Sequence, residues 1–158
     1  MKALITGASS GIGKNMAYVL ANKGIDLILV ARSKDEMVKI KENVKVEVQV
    51  IEMDLLKEKN VYKLYEVCKD MNVDILINNA GFGLFGLFVE TDLERELEMI
   101  DLNIKAYHIL TKLFLKDFIE KDSGYILNVA SSAGFMAGPR LSTYYATKNY
   151  VLKLTMAI

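Results

Sequence analysis

The sequence predicts a doubly wound α/β domain, and three observations carry that prediction. Short apolar runs alternate with amphipathic stretches along the whole chain. Three of the five apolar runs are almost continuously hydrophobic, as strands buried on both faces of a parallel sheet are. A glycine-rich turn, TGASSGIG, leads from the first apolar run into the first helical pattern.

Taken in order, Ala3–Thr6 is the first predicted strand. Behind it Ile12, Met16, Val19 and Leu20 mark one face of a helix. Ile25–Ala31 is the second strand, and Ser33 with Glu36 has the spacing of a capping box at the next helix start. Val44–Ile51 follows as the third strand. Val61, Leu64, Tyr65 and Cys68 then fall on one helical face, which places the lone cysteine in the core. Val73–Ile77 is the fourth strand, and Thr91 with Glu94 repeats the capping-box spacing.

The helix after Asp101 sets Lys105, Lys112 and Lys116 in one narrow polar stripe and surrounds them with apolar residues. Either two other helices flank it or a second subunit covers it. Tyr125–Ala130 is the fifth strand. The final helical pattern, YVLKLTMAI, is still running at Ile158, so the chain reads as the N-terminal part of a longer domain.

Composition narrows the functions that such a domain can have. Of 158 residues, 52% are hydrophobic and 25% charged, the balance of a globular rather than a disordered chain. Twenty basic residues offset twenty acidic ones, so no net field draws in nucleic acid or an anionic membrane. One cysteine and one histidine, His108, give little material for a disulfide or a metal cluster. No apolar run reaches the roughly 18 residues of a membrane span, and the expected location is cytoplasmic.

The glycine turn has a chemical reading. Gly7 permits a tight turn, while Gly11 and Gly13 allow close backbone approach to a ligand and to the sheet. Free N–H groups at the helix start would hold a pyrophosphate, with Ser9 and Ser10 as extra donors and Ile12 beside them. Alone, such a turn favours nucleotide binding, with a plain turn as the alternative. Further on, STYYATK raises a second question: Tyr144 and Tyr145 both lie within helical reach of Lys148, and spacing does not choose between them.

TGASSGIG, NNAG at 78–81, Asn103, Ser131 and YYATK occur in one order, and with them the sequence resembles the short-chain dehydrogenase/reductase family. The resemblance runs from residue 2 to the end. It implies a single Rossmann-type domain over 1–158, strand order 3-2-1-4-5, with the C-terminal strands missing and the chain cut in the helix that carries Tyr-x-x-x-Lys. It also implies NAD or NADP as cofactor and hydride transfer between the nicotinamide and a carbonyl or alcohol.

The family signature has a serine thirteen residues before its tyrosine. Tyr144 therefore fits, with Lys148 four on and Ser131 thirteen back, while Tyr145 becomes packing or pocket wall. By resemblance Tyr144 is the general acid-base, helped towards phenolate by the ammonium one turn away. Ser131 bonds the substrate oxygen, Lys148 also holds the nicotinamide ribose, and Asn103 supports a water-linked proton relay to the lysine. Asp54 is implied at the adenine amino group with Leu55 beside it. Asn79, Ala80 and Gly81 pass the adenine ribose, and Asn78 supports the sheet.

The second strand ends with Ala31 where NAD-preferring members carry an acid, and Arg32 follows. No carboxylate stands there to repel a 2′-phosphate and a guanidinium can pair with it, so NADP(H) is expected over NAD(H). GFGLFGLF, beginning at Gly81, together with Phe135 and Met136 suggests either an apolar substrate wall or a covered hydrophobic loop. A homo-oligomer is expected through the helices at 103–121 and 142–158.

Two other readings remain open. One is a truncated, non-catalytic NADP(H)-binding module. The other is a sugar-nucleotide epimerase or dehydratase, which shares Tyr-x-x-x-K but generally uses G-x-x-G-x-x-G, unlike the G-x-x-x-G-x-G here.

Overall fold

A computed structural model describes residues 1–158. Five parallel strands form one sheet: β1 (Lys2–Thr6), β2 (Asp26–Ala31), β3 (Val48–Glu52), β4 (Ile75–Asn78) and β5 (Tyr125–Asn128). Their order is β3-β2-β1-β4-β5, so the chain reverses direction across the sheet after β3. The doubly wound Rossmann-type sheet expected from the sequence is present. In register, Leu4 lies opposite Ile28 on one side and Leu76 on the other.

Six α-helices cover the sheet: α1 (Gly11–Asn22), α2 (Lys34–Glu42), α3 (Glu58–Cys68), α4 (Leu93–Ile100), α5 (Tyr107–Glu120) and α6 (Ser142–Ala157). Strand side chains alternate between two cores. Leu4, Ile28, Val30 and Leu76 pack with Val61, Leu64 and Cys68 of α3 and Leu110, Phe114 and Phe118 of α5. Ala3, Ile5, Leu27 and Leu29 pack with Ala17 and Ala21 of α1 and Met37 and Ile40 of α2. Burial pushes the Cys68 thiol up to about 11, as fits an inert core cysteine.

Several local expectations need correction. The helix α1 does not bury the face of Ile12 and Val19, which are exposed; it buries Gly13, Ala17 and Ala21. Small residues win here because the helix lies close to the glycine turn: a Cβ on Gly13 would stand 2.4 Å from Gly7 O. At the start of α4 the cap is Asp92, accepting from Arg95 N at 2.9 Å, and not Thr91. Ser33 does occupy the N-cap of α2, but its side chain makes no capping bond. β3 and β4 start later than the apolar runs suggest, at Val48 and Ile75, and β5 stops at Asn128.

The helix predicted after Asp101 begins with a π-helical stretch, Asp101–Ala106, before α5 takes over. Lys105, Lys112 and Lys116 are exposed, as the stripe requires. No helix is long and apolar enough to cross a membrane. On one face of the edge strand β5, Tyr125 and Leu127 are exposed.

Candidate functional site

The main cleft, of roughly 610 Å³, opens at the C-terminal ends of the strands, where ligands bind in such sheets. One rim is the turn between β1 and α1. Gly7 and Gly11 there have φ of +65° and +52°, a backbone that favours glycine. Ser10 sits at the N-cap of α1 without bonding its own helix, so its hydroxyl is free for a ligand. Gly7, Ser9, Ser10, Gly11 and Ile12 line the cleft; Gly13 lies behind them, packed on the turn.

Arg32 and Asp54 line the same cleft beyond β2 and β3, with Leu55 at its wall. Asp54 also accepts from Leu56 N at 3.2 Å, which fixes the turn after β3. Asn79, Ala80 and Gly81 follow β4 along the floor. Asn79 donates to Thr6 O at 3.0 Å and Gly7 O at 3.2 Å, tying the two loops together. Asn78 is buried below, donating to Thr111 Oγ1 at 3.1 Å and Asn128 Oδ1 at 2.8 Å, which is sheet support.

At the other end of the cleft stand Tyr144 and Lys148, both from α6. The Lys148 ammonium lies 5.9 Å from the Tyr144 ring centre and 5.4 Å from that of Tyr107, and donates to Val129 O at 2.8 Å. Burial lowers the Lys148 pKa to about 8. Tyr145 takes no part in the cleft lining and packs on Gly138.

Asn103 and Ser131 are not in the cleft wall. The Asn103 amide clasps the Phe82 backbone, accepting from its N at 3.1 Å and donating to its O at 2.9 Å. It donates as well to Thr147 Oγ1 at 3.1 Å, so it joins the loop after β4 to α6. The π-helical turn is what admits this polar residue into the middle of the helix. Ser131 Oγ accepts from Ala133 N at 3.2 Å at the head of a short 3-10 turn, Ser132–Phe135. Its O–H is left free to donate.

Some lining residues escaped sequence reasoning. Glu36 reaches the cleft beside Arg32 and Ser33, held by Lys14 at 3.2 Å and Lys39 at 2.5 Å. Both ammonium groups keep its pKa low, Lys39 more than Lys14. Its i, i+3 relation to Lys39 was a visible signal; the contact with Lys14, 22 residues away, was not. Arg95 also lines the cleft, its guanidinium 4.7 Å above the Phe82 ring.

The loop after Gly81 is largely uncovered, with Phe85, Leu87 and Phe88 exposed, as are Phe135 and Met136.

The strand order, the glycine turn at the first helix and a cleft at the switch point together define a nucleotide-binding Rossmann domain. Within that class the chain belongs to the short-chain dehydrogenase family, whose family model matches residues 1–158. It is 35% identical to a human very-long-chain 3-oxoacyl-CoA reductase over 94% of this chain and 50% of that one. Among solved structures it is similar to a Comamonas testosteroni alcohol dehydrogenase specific for bulky-bulky ketones (TM-score 0.93, 35% identity, 99% of this chain, 64% of that one). It is similar too to a Sphingobium yanoikuyae short-chain dehydrogenase in complex with NADPH (TM-score 0.92, 35% identity, 99% and 63%). The chain thus spans between half and two thirds of these relatives' lengths.

Proposed function

We propose that this chain is the cofactor-binding and proton-donating part of an NADP(H)-dependent carbonyl reductase or alcohol dehydrogenase. The observation that carries the reading is that one cleft contains both the glycine turn at one end and the Tyr144–Lys148 pair at the other. The residues suit a dinucleotide. Gly7, Gly11 and Gly13 keep side chains out of the turn, and α1 presents its N-terminus for a pyrophosphate. Arg32 pairs with the 2′-phosphate of the adenosine ribose, while Asp54 and Leu55 bound the adenine. Asn79, Ala80 and Gly81 follow the ribose, and Lys148 holds the nicotinamide ribose.

When bound, NADPH supplies the hydride. In reduction the Tyr144 hydroxyl gives its proton to the carbonyl oxygen; in oxidation it removes the alcohol proton. Ser131 donates its free O–H to the same oxygen. Lys148 places a positive charge beside the Tyr144 ring, which favours the phenolate left after proton transfer. Asn103 serves proton return to Lys148 by fixing the Phe82 loop and Thr147 around it. The exposed apolar loop after Gly81 fits a bulky, apolar ketone or alcohol, in line with the substrates named for two of the relatives. A second copy docks on the face shared by α5 and α6, where His108 Nδ1 meets Tyr150 OH at 2.7 Å.

The test is NADPH oxidation with a panel of bulky ketones, followed at the cofactor's absorbance. Tyr144→Phe is expected to reduce kcat by about 10²–10⁴-fold, the usual worth of a general acid, with NADPH affinity nearly unchanged. Normal turnover by Tyr144→Phe would overturn the assignment of the acid. A protein that binds NADPH but reduces nothing in the panel would favour the non-catalytic binding module.

A further inference from the structure

Glu96 is a buried carboxylate with no part in the chemistry above. It lies in the first turn of α4 and is 8% exposed. Charged side chains are seldom buried unless paired. Here the partners are two hydroxyls from two other elements: Thr143 Oγ1 donates to Glu96 Oε2 at 2.8 Å, and the Thr91 hydroxyl donates to Glu96 Oε1. Thr91 closes the apolar loop after β4. Thr143 is the second residue of α6 and directly precedes Tyr144.

The state of α6 explains why an anchor from another element belongs at this place. Its N-cap position is occupied by Leu141, no side chain caps it, and its first turn contains no acid. The first N–H groups and the positive end of the helix dipole are therefore uncompensated by the helix's own sequence. By contrast α4 has its own cap in Asp92. Glu96 brings an acceptor oxygen to the start of α6, where it accepts from the hydroxyl of a residue 47 positions away. The same region is laced at two further points, by Gly86 N donating to Arg140 O at 2.9 Å and by Arg95 over Phe82.

We propose that Glu96 is a positioning residue, a staple from α4 that fixes the first turn of α6, and with it Tyr144, against the 82–91 loop. Its functional importance rests on the reading of Tyr144 as proton donor; its effect on where Tyr144 sits does not. The experiment uses the full chain labelled with [13Cζ]tyrosine, the Tyr144 resonance being assigned by its loss in Tyr144→Phe. Glu96→Leu and Thr143→Val are each expected to move that resonance, and the double variant to move it no further than either single one. Glu96→Gln can accept from one hydroxyl and donate to the other, so it is expected to leave the resonance near the wild-type position.

NADPH affinity, carried mostly by β1–α1 and Arg32, should change by no more than about twofold in these variants. Where turnover is measurable, Glu96→Leu should lower kcat by about tenfold to a hundredfold through misplacement of the acid. A lowered melting temperature with an unmoved Tyr144 resonance overturns the proposal, because the role is then only structural. A Gln variant as disruptive as Leu also overturns it. Failure of the wild-type chain to bind NADPH would count against the reductase reading instead, and the resonance would still decide the staple.

Discussion

Burial lowers the Lys148 pKa to about 8, so its charge is a cost to the fold at neutral pH. The unfolded lysine titrates near 10.4. Between these two values the unfolded chain binds the extra proton, and stability rises with pH across that window. Below pH 8 both forms are charged and the full penalty applies. Lys148→Met is therefore expected to stabilise the chain at pH 7, by on the order of 2–3 kcal/mol. Most of that gain should vanish by pH 10, which paired urea titrations of variant and wild type will measure.

At the far end of the cleft, Arg32→Ala should weaken NADPH binding by about 10–100-fold, the loss of a charge-assisted contact of ~1.5–3 kcal/mol. NADH binding should hardly change. Equal losses for the two cofactors, read by fluorescence titration, would show that Arg32 does not recognise the 2′-phosphate.

The β1–α1 unit shows how tightly one element can constrain the next. A Cβ on Gly13 would meet Gly7 O at 2.4 Å, and both atoms belong to backbone that cannot swing aside. Gly13→Ala is expected to cost at least ~3 kcal/mol, at the upper end of overpacking effects, and to spoil nucleotide binding with it. Gly11 has open space around it but a φ of +52°. Gly11→Ala should thus cost only ~1 kcal/mol, and denaturant midpoints will separate the two.

Elements were legible in the sequence where one periodic pattern decided them: the five strands, the buried face of α3, and the exposed lysines after Asp101. They were misread where a neighbour overrode the pattern. The α1 face follows from the closeness of the glycine turn, and the π-helical stretch houses Asn103, whose partners Phe82 and Thr147 lie 21 and 44 residues away. Of the site, the glycine turn, Arg32, Tyr144 and Lys148 could be found because each belongs to a local motif. Glu96, Lys14 and Arg95 could not, because their partners are brought together only by folding.

Over the whole molecule, the cleft draws on β1, β2, β3, β4 and α6, so a bound dinucleotide would bridge both halves of the sheet. Anything that binds the folded chain alone stabilises all of it. At a hundred times its Kd, NADPH should add about 2.7 kcal/mol, or roughly 5–10 °C in Tm for a chain of this size. A thermal shift with NADPH and none with free nicotinamide would support the proposed site. No shift at saturating NADPH would count against it.

The strand order has a consequence for how the protein is born. β1 stands in the middle of the finished sheet, paired on one side with β2 and on the other with β4. β2 is translated soon after it, but β4 begins only at Ile75. At about 5–20 residues per second, seconds pass during synthesis in which one flank of β1 has no partner. For that interval the future centre of the molecule is its open side. The slower the elongation between Ala31 and Ile75, the longer that side stays open.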